Sequence, residues 1–250
     1  MGEPRPLGEL LRLTLEHPAL ASRTGRGVSV AVIDSGINPT HPHLAGVAGG
    51  VALDEVGAEW PDYVDRLGHG TAVAAAIHEK APDASLYAVR VFDGDLNASP
   101  QRLVCGMDWA SSRGVRVLNL SLGTPRTDRG PVLSPAVKRA LERGALIVGV
   151  GEHDGRRWLP GSLPGVVSVV LDWECPRDEL RIAGDGDRGY VFRASGYPRP
   201  IPGVPPERNL SGASFAVANV SGFLARVLEA EPTVRSVRDV VAAIGAAGVR

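Results

Sequence analysis

Three short motifs bring together residue types that can do chemistry: VAVIDSG around Asp34, GHGTAVA around His69 and SGASFA around Ser214. A serine hydroxyl is a poor nucleophile at neutral pH. It needs an imidazole to take its proton and a carboxylate to hold that imidazole in the right tautomer. Taken singly, each residue has an ordinary structural reading: a strand-end aspartate capping a turn, a packed histidine, an N-cap serine. Their contexts argue for more. Asp34 closes an apolar run, and Gly36 permits a sharp turn after it. His69 lies between Gly68 and Gly70, which leave room for another backbone to approach. Ser214 falls at an expected helix start, where the positive end of the dipole favours developing negative charge. The order Asp, His, Ser differs from the two other common arrangements of the same set, His–Asp–Ser and Ser–Asp–His. GASFA is also not a G-x-S-x-G elbow, which argues against esterases built on that turn.

Strand-like and helix-like segments alternate around these motifs. Residues 28–33, 86–92, 115–120, 145–150 and 166–171 are short apolar runs rich in β-branched side chains and bounded by turn formers, as buried strands are. Residues 71–77, 101–112, 135–143, 215–229 and 236–244 read as helices. Leu103, Met107 and Ala110 share one helical face, as ordinary core packing requires. A short helix is expected over 7–15, and five prolines make 197–206 an extended loop. The alternation predicts a parallel sheet with helices on both faces. In such sheets functional side chains gather at the carboxyl ends of strands, where Asp34 stands.

With 250 residues, 44% of them hydrophobic, the chain is long enough for one large domain with a well-buried core. We read 1–26 as a short N-terminal arm and 27–250 as that domain. A net charge of −1 argues against nucleic acid or an anionic membrane as partner. No stretch is long and apolar enough to cross a bilayer, and the N-terminus lacks a signal peptide's cationic start and apolar run. Cys105 and Cys175, two thiols in a chain of this size, are expected to be reduced and buried. These features predict a cytoplasmic protein; oligomeric state is not encoded in them. GDGDRG (184–189) matches G-x-G-x-x-G, but strand-like YVF follows where a dinucleotide site needs a helix, so a hairpin turn is expected. DGDLN (93–97) begins like a calcium loop, yet Ala98 and Val104 stand where a glycine and a bidentate glutamate are needed. No metal ligand is assigned.

In order and context these motifs resemble the subtilisin-like serine proteases, the subtilases. The likeness runs over about residues 27–228 and includes APDASLYAVRVF (81–92), GMDWASSRGVRVLNLSLG (106–123) and GASFAVANVSG (212–222). The resemblance implies a three-layer α/β/α fold with a central, mainly parallel sheet. It also implies hydrolysis of a peptide or protein substrate through an acyl-enzyme. Ser214 would attack the scissile carbonyl. His69 would take its proton and pass it to the leaving amine, and Asp34 would hold the imidazole and stabilise its charged form. Ser121, Leu122 and Gly123 would form the strand that pairs with an extended substrate and lines the pocket for the side chain before the cut. Leu96, Asn97 and Ala98 would supply the opposing strand, and Gly151 the pocket's other wall. No cofactor is needed for this chemistry. Family members often hold structural calcium, for which this chain singles out no ligands.

The chain departs from the family at the oxyanion hole. The family places an asparagine side chain there, and the matching stretch GALIVGVGEHDG (144–155) has none. A gap-free match puts His153 at that position; a one-residue shift that keeps Gly151 aligned puts Glu152 there. Imidazole can donate to a forming oxyanion, whereas an ionised glutamate cannot and would repel it. Such a donor is worth about 2.7–4 kcal/mol. Ala213 replaces the usual threonine, and Ala218 with Asn219 replaces a proline–histidine pair. Two readings follow. The complete triad argues for a serine endopeptidase, including one dedicated to a single precursor. The missing asparagine argues for a weak or inactive relative that binds peptides as a module. Residues 1–26 are shorter than the folding pro-domain of secreted members. The chain is therefore expected to fold unaided, with the arm as a short inhibitory or docking segment, or to be one chain of a larger system.

Overall fold

The computed structural model describes residues 11–92, 94, 97–184 and 189–249. In chain order its elements are β1 (Leu11–Thr14), β2 (Ser29–Asp34), β3 (Gly49–Leu53), β4 (Glu59–Trp60), α1 (His69–Lys80), β5 (Ser85–Arg90), α2 (Pro100–Ser112), β6 (Val117–Leu120), α3 (Gly130–Glu142), β7 (Leu146–His153), β8 (Arg156–Arg157), β9 (Val167–Leu171), β10 (Glu179–Gly184), β11 (Tyr190–Ala194), α4 (Ala213–Ala230) and α5 (Val237–Ala246). One sheet runs in the order β1-β10-β11-β9-β7-β6-β2-β5-β3-β4, with β8 hydrogen-bonded to β7. The central pairs are parallel, and the antiparallel ones are β1–β10, β10–β11, β3–β4 and β7–β8.

Alternation along the strands divides the core in two. Val30 and Val32 of β2 join α1, α4 and α5 on one face, while Ala31 and Ile33 join α2 and α3 on the other. This is the three-layer α/β/α arrangement the sequence predicts; all five expected strands are present, and five of the six expected helices. Helix α4 is buried along nearly its whole length. It lies close to α1 because residue 222 is glycine: a Cβ there would stand 2.7 Å from Lys80 Cβ.

One expectation changes. The described part of 7–15 is strand, not helix: Leu11–Thr14 pairs antiparallel with β10 and buries Leu13. Pairing with a distant strand overrides a local helical pattern. From residue 11 the arm is thus built into the sheet. The expected hairpin around 184–189 is formed by β10 and β11, although 185–188 lie outside the described residues.

Candidate active site

Asp34 ends β2 at the carboxyl edge of the sheet and is fully buried. Its Oδ1 accepts the Ser35 backbone N–H at 2.7 Å and lies 2.8 Å from His69 Nδ1. Oδ2 is buried without a hydrogen-bond partner among the described residues. His69 opens α1 behind Gly68, whose φ of 84° is left-handed. The next residue must also be glycine, because a Cβ on Gly70 would collide with the Gly36 carbonyl. This contact is what brings the first turn of α1 against the turn after Asp34.

A second carboxylate, which sequence reasoning missed, locks the same corner. Asp65 accepts the Ser35 hydroxyl at 2.9 Å, the Leu67 and Gly68 N–H groups at 2.9 Å each, the Thr71 N–H at 2.8 Å and the Thr71 hydroxyl at 2.6 Å. Ser35 in turn accepts the Gly70 N–H at 2.9 Å. The sequence signal was an aspartate placed four residues before the histidine and six before the threonine. Burial disfavours the Asp65 carboxylate, but the bonds from Thr71, Leu67 and Gly68 outweigh it and hold its pKa below the usual range. Burial likewise lowers the His69 pKa, yet the Asp34 hydrogen bond and charge, with the Asp65 charge behind them, raise it above the ordinary value.

Ser214 lies in the first turn of α4, next to Phe215, whose ring centroid is 6.0 Å from that of His69. Its hydroxyl donates to the Ser121 carbonyl at 2.9 Å. Among the described residues no hydrogen bond joins it to His69. Ser121 Oγ returns a bond to the Ser214 carbonyl at 2.8 Å, Asn119 Nδ2 donates to Ser121 Oγ at 2.9 Å, and Ser221 Oγ donates to Asn119 Oδ1 at 2.9 Å. A buried polar chain thus ties α4 to the end of β6. Asn219, in the place of a family histidine, donates to the carbonyls of Ser195 at 2.8 Å and Tyr197 at 3.2 Å.

The remaining expected residues frame this centre. Ser121, Leu122 and Gly123 leave the end of β6, and Thr124 then bridges Leu159 through two backbone bonds. Gly123 lies against the Leu159 carbonyl and Trp158. Gly151 is bulged out of the β7–β9 register, and its carbonyl accepts the Trp158 N–H at 3.0 Å. Asn97 and Ala98 open onto a polar cleft before α2; Leu96 lies outside the described residues. His153 and Glu152 belong to a β7–β8 hairpin, opposite Arg156 and Arg157. Glu152 is exposed, while the half-buried His153 ring meets Trp158 edge-on at 5.5 Å, with Nε2 3.5 Å from Asp154 Oδ2. Among the described residues neither hydrogen-bonds Ser214. No group of three or more His, Cys, Asp or Glu side chains that could hold a metal occurs among them.

Comparison with known proteins matches this geometry to one family. The model of the subtilase family (Peptidase_S8) matches residues 25–151. The minor extracellular protease Epr of Bacillus subtilis (strain 168) is 34% identical over 178 residues, covering 68% of this chain and 26% of that protein. Subtilisin E of the same organism is 30% identical over 246 residues, covering 88% of this chain and 60% of that protein. The chain therefore spans less than two thirds of either relative. The solved structure of the prenylagaramide maturation protease PagA is 27% identical, covers 84% of this chain and 78% of its own, and superposes with a TM-score of 0.63. By family match, by sequence and by fold, the chain belongs to the subtilase family.

Proposed function

We propose that this chain is a serine endopeptidase whose triad is Asp34, His69 and Ser214. The observation that carries the reading is the 2.8 Å contact between a buried Asp34 oxygen and His69 Nδ1, beside the helix start that bears Ser214. Donation from Nδ1–H to Asp34 leaves Nε2 free to take a proton. Ser214 turns from the Ser121 carbonyl to His69, attacks the scissile carbonyl and forms an acyl-enzyme. Protonated His69 then gives its proton to the leaving amine, and water repeats the sequence in reverse. The N-terminus of α4 favours the developing negative charge, and His153 is the proposed side-chain donor to it. A substrate strand is proposed to lie between Ser121, Leu122 and Gly123 on one side and Asn97 and Ala98 on the other. The mechanism needs no cofactor.

The substrate we propose is one dedicated precursor rather than protein at large. The likeness to PagA, a maturation protease, supports this, as does the altered oxyanion position. The unbonded thiols Cys105 and Cys175 support a cytoplasmic, reducing setting. One observation favours the second reading, a peptide-binding relative without turnover: the Ser214 hydroxyl is engaged by Ser121.

Labelling with a fluorophosphonate probe separates the two readings. The peptidase labels, and Ser214→Ala does not; folded protein that never labels overturns the enzyme. A peptide-library profile confined to a narrow motif supports the dedicated role, and broad cleavage removes it.

A further inference from the structure

A cleft of about 650 Å³, lined by Gly68 just before His69 and by Asp65 of the same corner, has no role in the scheme above. Each of its walls comes from a segment that also carries a triad member. Asn38, His41 and His43 follow Asp34; Gly68, Thr71 and Ala75 belong to the start and the body of the His69 helix; Arg199, Arg208 and Leu210 precede Ser214. None of Ser121, Leu122 and Gly123 lines it. A substrate whose residues before the cut lie along that strand therefore leaves the cleft to the residues after the cut.

The charge of the cleft is one-sided. Two guanidinium groups, Arg199 and Arg208, face one carboxylate, Asp65, whose oxygens already accept five hydrogen bonds. Among the described residues neither arginine forms an ion pair. Arg199 Nη1 donates to the His43 carbonyl at 2.9 Å, which spans two walls and fixes the guanidinium at the rim, while Arg208 is exposed. Burial, then the charges of Arg199 and His41, hold the His43 pKa below its ordinary value against the opposing charge of Glu79; the two arginines are the permanent positive charges of the lining. Leu210 and Ile201 add exposed apolar surface beside them.

We infer that this cleft selects substrates with aspartate or glutamate in the first residues after the cut, bound by Arg199 and Arg208. The inference rests on the endopeptidase reading for what "after the cut" means, but binding can be read without turnover. Arginine forks match carboxylates in geometry and charge, and such charge-assisted bonds are among the stronger polar contacts.

The test uses two C-terminally amidated tetrapeptides that mimic leaving fragments, Asp-Glu-Ala-Leu and Asn-Gln-Ala-Leu; amidation removes the terminal carboxylate as an alternative ligand. Titrated into Ser214→Ala protein, the acidic peptide is expected to bind about tenfold more tightly. The preference is expected to vanish in Arg199→Gln/Arg208→Gln and to reverse toward a Lys-Lys-Ala-Leu amide in the surface variant Arg208→Glu. Equal Kd values for the acidic and neutral peptides, in protein whose circular dichroism is native, overturn the inference. So does an acidic preference that survives both arginine changes. A preference in Ser214→Ala protein whose folded Ser214 parent fails to label with the fluorophosphonate leaves the cleft standing and removes the enzyme. Labelling and turnover without any preference do the opposite.

Discussion

The two sides of the candidate site are held by very different amounts of bonding. On the Asp34–His69 side, Asp65 alone accepts five hydrogen bonds, and Ser35 and Gly70 close the corner behind it. On the other side, His153 sits near the tip of a two-residue hairpin arm, with Asp154 and Trp158 as its neighbours. The proposed base and its orienter are thus held by a closed network of hydrogen bonds. The proposed oxyanion donor stands at the last residue of β7, past its pairing with β9, and is held there by the β7–β8 hairpin. The asparagine that the resemblance implies is missing on the loosely held side, and the residue types of the proposed triad are all present.

Four measurements test that contrast. His69→Ala should remove turnover almost completely, by about 10⁶-fold in kcat, with unchanged binding of a product peptide. His153→Ala should lower kcat by about 10²-fold at unchanged thermal stability. A parent-like rate in that variant would mean the loosely held side contributes no donor. Asp65→Asn should cost about tenfold in kcat through a looser His69, and it should also move the pH profile. The reaction needs neutral His69, whose pKa is raised by Asp34 and by the Asp65 charge, so activity falls as pH drops through that raised value. Removing the Asp65 charge lowers the His69 pKa, and the acid limb of kcat/KM shifts to lower pH. An unmoved limb would make Asp65 purely a structural anchor. The smallest effect on chemistry is expected from Gly222→Ala. Its new methyl group would press on Lys80 Cβ and cost about 1–3 kcal/mol. It should lower Tm by several degrees while leaving the fluorophosphonate labelling rate near that of the parent.

Much of the frame was legible in the sequence because its signals are local. Apolar β-branched runs with turn residues at both ends located β2, β5, β6, β7 and β9, and with them the edge where Asp34 sits. Of the glycines flanking His69, Gly70 marked a close approach of backbone. The edge strand β1 was not legible, since Leu11 and Leu13 suit either a helix or a strand until β10, more than 160 residues away in the chain, pairs with them. The β7–β8 hairpin was missed for a related reason: two residues pairing across Asp154 and Gly155 leave too little pattern to read.

The amino-acid order alone sets the residue types available for chemistry, their succession, and the alternating elements that carry them. These follow from short-range sterics and from the periodicity of burial. Which polar groups find one another is settled only by folding. Asn119 meets Ser221 across 102 positions, Ser121 meets Ser214 across 93, and Arg199 reaches His43 across 156. Such partners are set by the crossing of elements in space, because a buried donor donates to whatever acceptor packing brings within about 3 Å.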